Sequence, residues 1–162
     1  LGPGSAGPHL WVGPLVSVPA GMHGMKGGLT SLGANAPCLI RWTAPASLVT
    51  PTDVTMDAWF CPYQGGAVEI IIIKSVAGDP NQQTFLLDQK DVTPVNVVQL
   101  NTVCNVTAGD TIDFMVSMQG EDNGDWTGLA ITITDTPEDR FNAPWDLNAD
   151  MNTSVNDNGV WS

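Results

Sequence analysis

Short apolar or alternating runs, each cut by Gly, Pro, Asp or Asn, follow one another down this chain, and the series closes on AGDTIDFMVSMQGEDNGDWTGLAITIT at residues 108–134. That punctuation belongs to strands joined by turns and leaves little room for helix. About eight strands are predicted, near Leu10–Val18, Cys38–Thr43, Asp53–Phe60, Ala67–Ser75, Gln83–Leu87, Val95–Val103, Thr111–Met118 and Leu129–Thr134. Val54, Met56 and Ala58 alternate with Asp53, Thr55 and Asp57, as a half-buried strand requires, and Ile112, Phe114, Val116 and Met118 share one face. The β-branched run Val68–Lys74 reads as a strand buried on both faces. The fold expected is all-β: a jelly-roll-like antiparallel sandwich with extended N- and C-terminal arms.

The chain length of 162 residues suits one domain, and 17 Gly and 12 Pro with only 14% charged residues fit a turn-rich β protein. Seventeen acids against five bases give a net charge of −12, which repels phosphate backbones and anionic lipid. Nucleic acid is therefore excluded as an expected partner. Membrane insertion is excluded too, since no run approaches the ~18–20 apolar residues that span a bilayer.

Residues 1–37 are a Gly/Pro-rich arm with a first strand, 38–134 the sandwich body, and 135–162 an extended acidic tail. The stretch GMHGMKGG, residues 21–28, reads as irregular loop. In the tail, Trp145, Leu147, Met151, Val155, Val160 and Trp161 lie too far apart to form a core of their own. They are expected either to wrap over their own domain or to dock on a neighbour as an assembly interface.

The three cysteines have no C-x-x-C spacing, which argues against a zinc knuckle or a redox pair. Cys38 and Cys61 each adjoin a predicted strand and are the expected disulfide in an oxidising compartment. The alternative is three buried small hydrophobes. Asn105 and Asn152 head N-x-S/T triplets that would accept glycans in a eukaryotic secretory pathway.

No catalytic residues are expected. Only His9 and His23 are available to a nucleophile–histidine pair, both in segments read as loops, and there is no G-x-S-x-G, H-E-x-x-H or P-loop. Asp110 with Asp113, or Asp122 with Asp125, satisfy the residue types of a glycosidase pair but nothing fixes their separation. Glu121, Asp122 and Asp125 offer oxygen ligands on a predicted hairpin loop and are the calcium candidates. Trp126 beside Asp122, Asn123 and Asp125 combines an aromatic face for a sugar ring with groups that bond hydroxyls, and Trp59 or Tyr63 would add a second platform.

The motifs R-W-T-A-P at residues 41–45, A-G-D-T-I-D-F at 108–114 and D-W-T-G-L-A at 125–130 resemble a jelly-roll repeat module of large secreted bacterial proteins. The tail segments W-D-L-N-A-D and N-D-N-G-V-W-S resemble the start of another such module. The resemblance implies an extracellular or cell-surface protein cut from a longer array, with adjoining modules or copies of itself as partners. Two functions follow as expectations. One is a non-catalytic structural subunit of a filament, surface layer or adhesin, joined through its arms. The other is a carbohydrate-binding module of a secreted protein, with glycans as partner.

Overall fold

The computed structural model describes residues 9–11, 22–29, 35–94, 96–119, 126–135 and 145–146, with the backbone alone at 9–11, 28–29, 35, 80 and 145–146. Among the described residues no helix is long and apolar enough to cross a membrane. The strands in chain order are β1 (His9–Trp11), β2 (His23–Lys26), β3 (Gly28–Leu29), β4 (Asn35–Ala36), β5 (Cys38–Thr43), β6 (Thr52–Gln64), β7 (Val68–Val76), β8 (Asp79–Val92), β9 (Val98–Val106), β10 (Thr111–Met118), β11 (Trp126–Asp135) and β12 (Trp145–Asp146).

One sheet runs β1-β2-β11-β6-β9, with β12 added beside β11, and the other runs β5-β10-β7-β8; all pairings are antiparallel. Setting aside the short strands, β2-β11-β6-β9 faces β5-β10-β7-β8, which is the strand order of a jelly roll. The expected sandwich is therefore the fold, and the two halves of each sheet come from distant parts of the chain.

Alternation fixes the core. Along β6, Val54, Met56, Ala58 and Phe60 are fully buried while the residues between them face out. Trp42 from β5 and Phe114 from β10 fill the centre from the opposite sheet, with Ile40, Ile70, Ile72 and Ile112 around them. β7 corrects an expectation. It is buried on one face only, because Glu69, Ile71 and Ile73 lie on the outer side and keep partial exposure. Its β-branched run covers that outer face with Met115 and Phe85 as cross-strand neighbours, so composition alone overstated its burial.

The glycine-rich stretch read as loop is the larger correction. Residues 23–26 form a strand between β1 and β11 with every position buried, and His23 and His9 thus lie on strands. The glycines serve contact between backbones. A Cβ at Gly27 would sit 2.8 Å from the Met118 nitrogen and 3.1 Å from the Val116 oxygen, both main-chain atoms of β10. Of the strand predicted at Leu10–Val18, β1 covers the beginning, and residues 12–18 lie outside the described ones.

One corner of the sandwich is tied by a single carboxylate. Buried Asp110 accepts N–H bonds from Ala77 at 2.9 Å and Thr107 at 3.1 Å, and the Lys74 ammonium stands 3.5 Å away. Lys74 also donates to the Asn105 carbonyl. The main chain adds Ala44 N–H to the Asp110 carbonyl at 2.8 Å and Gly109 N–H to the Ala44 carbonyl at 2.9 Å, with Gly109 at φ 84°. The turn after β7, the turn after β9 and the loop after β5 therefore meet on one residue. On the neighbouring strands, Arg41 pairs in bidentate fashion with Asp113, Nε to Oδ1 at 2.6 Å and Nη2 to Oδ2 at 2.7 Å. R-W-T-A-P and G-D-T-I-D-F are thus adjoining strands of one structural unit, in register Arg41↔Asp113 and Trp42↔Ile112.

Candidate functional site

The outer face of β11, β6 and β9 sets an exposed tryptophan, Trp59, among hydrogen-bonding groups. Because β6 turns its even-numbered residues inward, Asp53, Thr55, Asp57, Trp59 and Cys61 point out. Register then assembles the face. Trp59 lies between Ala130 of β11 and Gln99 of β9, Asp57 between Thr132 and Asn101, Thr55 between Thr134 and Val103, and Asp53 beside Asn105.

Trp59 is 38% exposed, and its β11 neighbours are Ala130 and, opposite Cys61, Gly128, so no large side chain stands on that flank. Two amide–carboxylate pairs continue the face: Gln99 Nε2 donates to Asp57 Oδ1 at 3.1 Å, and Asn105 Nδ2 donates to Asp53 Oδ1 at 2.7 Å. In the Gln99–Asp57 pair the second carboxylate oxygen and the amide oxygen can face a ligand. From Trp59 to Asp53 the strand rises about 20 Å, enough for a short oligosaccharide. An aromatic plate at one end of a row of amide and acid groups is suited to a flat, hydroxyl-bearing ring compound.

Of the predicted sugar site, Trp126 opens β11, half-buried and opposite Lys26 and Gln64. Asp122, Asn123 and Asp125 lie outside the described residues, as does Glu121 of the calcium set. Trp126 is four residues from the position beside Trp59, about 13 Å along the strand, and by strand parity stands on the same outer face, beyond Trp59. Tyr63 occupies the bulge opposite the Trp126/Thr127 step, half-buried, and burial pushes its hydroxyl up to about 12. Among the described residues no three His, Cys, Asp or Glu side chains gather to hold a metal. Asp110 and Asp113 are both engaged, one by main-chain N–H groups and Lys74 and the other by Arg41, whose own pKa the Asp113 contact raises.

The expected Cys38–Cys61 bridge is absent, and all three cysteines are free. The reason is strand parity. Cys38 shares the inward set of β5 with Ile40 and Trp42, whereas Cys61 belongs to the outward set of β6, so their side chains leave opposite sides of the sheets that carry them. Burial pushes the Cys38 thiol up to about 11 and raises Cys104 too. Under native conditions near pH 8, a thiol-reactive chromogenic disulfide is expected to titrate Cys61 rapidly and the other two only after denaturation. Three fast thiols in the folded protein would contradict the burial assigned to Cys38 and Cys104.

Trp145 and Asp146, the start of the predicted assembly segment, pair through their backbones with Ile133 and Thr132 of the same chain. Leu147, Met151, Val155, Val160 and Trp161 lie outside the described residues, and so does the Asn152 sequon. Asn105, the other sequon, is exposed on β9.

No family model matches this sequence, and no curated protein matches it. A solved structure described as "CBM4 structure and function" aligns over 80% of this chain and 95% of its own, at 9% identity and a TM-score of 0.38. The jelly-roll assignment rests on strand order and not on that likeness.

Proposed function

We propose that this chain is a non-catalytic binding module that takes a carbohydrate on the outer face of β11, β6 and β9. The observation that carries this reading is Trp59, a large aromatic side chain left 38% exposed on a sheet face where threonine, amide and carboxylate groups run on from it along β6 and β9. Indole rings are ordinarily well buried, and one held open on a rigid strand costs little ordering entropy when it stacks on a ring. Gln99 beside Trp59 and Asp57 one pair further along stand ready to bond hydroxyls, and the described residues of β11, β6 and β9 put no basic side chain on this face, which favours neutral or amino sugars over uronates and sulfated glycans. Such a role suits an extracellular or cell-surface protein.

The test is affinity electrophoresis of the full chain through gels loaded with a panel of soluble polysaccharides. At least one is expected to retard the protein, and Trp59→Ala is expected to weaken that retardation about tenfold or more, equal to ~1.4 kcal/mol, with thermal unfolding unchanged. A panel that leaves the protein unretarded, or retardation that survives Trp59→Ala, would sink the reading. A structural subunit joined through its tail draws less support, because the described tail segment pairs with its own β11.

A further inference from the structure

The two sheets end in edges of opposite character. β8 is a 14-residue edge that is interrupted throughout: its pairing with β7 shifts register at three places, Asp91 sits at φ 56°, Pro80 lacks an N–H, and Asp88, Lys90 and Asp91 put charge along it. These are the devices by which sheets discourage the addition of another strand. β9 has none of them. Its sequence VQLNTVCNV contains no charge, proline or glycine, and it pairs with β6 in unbroken register from Thr52↔Val106 to Phe60↔Val98. Among the described residues no strand lies beyond it.

In a chain of net charge −12, a regularly paired edge strand with no charged residue of its own is where a second copy approaches with least repulsion. The side chains also match themselves. Val97 and Val103 are 53% and 57% exposed, and Leu100 stands midway between them in the sequence. An antiparallel pairing of two β9 strands about a two-fold axis at Leu100 sets Val97 against Val103 of the partner subunit, and the converse. It also sets Gln99 against Asn101 of the partner subunit, an amide pair repeated twice by symmetry.

We propose that β9 is an interface between two copies of this chain, paired antiparallel about a two-fold axis at Leu100 and extended through Val97. The main path β1-β2-β11-β6-β9 of each copy then continues into the other as one sheet. The interface borders the Trp59 face, since Gln99, Asn101 and Val103 belong to both, but it is read by association without glycan, so its failure and that of the carbohydrate reading are distinguishable.

Sedimentation velocity of the full chain from low to high micromolar concentration, at physiological salt, tests it. The parent is expected to move from monomer to dimer, and Val103→Lys or Val97→Glu alone to raise the dissociation constant about tenfold or more. The double variant Val97→Glu with Val103→Lys is expected to dimerise again, because the register brings each Glu against a Lys of the other copy. Within one chain these positions are six residues apart, about 20 Å, too far to pair. Circular dichroism and thermal unfolding of the monomeric variants confirm that the fold is kept. A parent that stays monomeric at every concentration overturns the proposal, as does a dimer that survives Val103→Lys. Failure of the double variant to recover the dimer overturns the register.

Discussion

Replacing Asp110 by Ala is expected to lower the unfolding free energy by about 3 kcal/mol or more, a large share of what holds a single domain together. The carboxylate is almost fully buried, and its removal leaves the Ala77 and Thr107 N–H groups without their acceptor and Lys74 without its counter-charge. Each unsatisfied group carries its own desolvation penalty, and the charge carries the most. Three chain connections also lose the point on which they converge. Asp110→Asn keeps one acceptor but not the charge, so it should fall between the parent and the alanine variant. Urea denaturation followed by tryptophan fluorescence measures both. A loss below about 1 kcal/mol for Asp110→Ala would mean that water or a rearranged turn satisfies these groups, and that the corner is not tied as described.

Trp42→Ala is expected to cost about 3–5 kcal/mol, the range for truncating a large buried aromatic. Trp42 is fully buried at the centre of the sandwich, fixed by pairing with Ile112 and surrounded by side chains from both sheets. The cavity left behind is lined from two sheets whose strands cannot close inward without breaking register, so relaxation recovers little. Trp59→Ala provides the control: the same substitution on the outer face should leave stability within about 1 kcal/mol of the parent. Similar losses for the two would show that the exposed tryptophan is held by packing, and would remove the basis of the binding face.

Much of the fold was legible because alternation is a local signal. β5 and β10 fall on the predicted residues, and the inward set of β6 follows from Val54, Met56 and Ala58. The same alternation places Cys61 outward, so the disulfide expectation could have been refused from parity alone. β2 was not legible. Its His-Gly-Met-Lys sequence lacks both alternation and β-branched residues, and it becomes a strand because neighbours cover it on every side. The proposed binding face was partly legible. Trp59 was visible as a candidate, but its companions Gln99 and Asn101 come from β9 and lie 42 and 44 residues from the Asp57 they flank in the sheet. Adjacency in sequence put Trp126 first, because the acids stand next to it there.

The position of β11 between β2 and β6 determines how the molecule comes into being. Among the described residues it is the last of the long strands, yet it occupies the interior of its sheet. A growing chain leaving the ribosome can form hairpins such as β7–β8 early, but it cannot join β2 to β6 until residues 126–135 have emerged. Until then both strands present open edges beside uncovered apolar side chains, including Met25 and Phe60. Folding of this sandwich therefore waits on an insertion that links residues about a hundred positions apart, and the nascent domain stays vulnerable to aggregation until residues 126–135 have emerged.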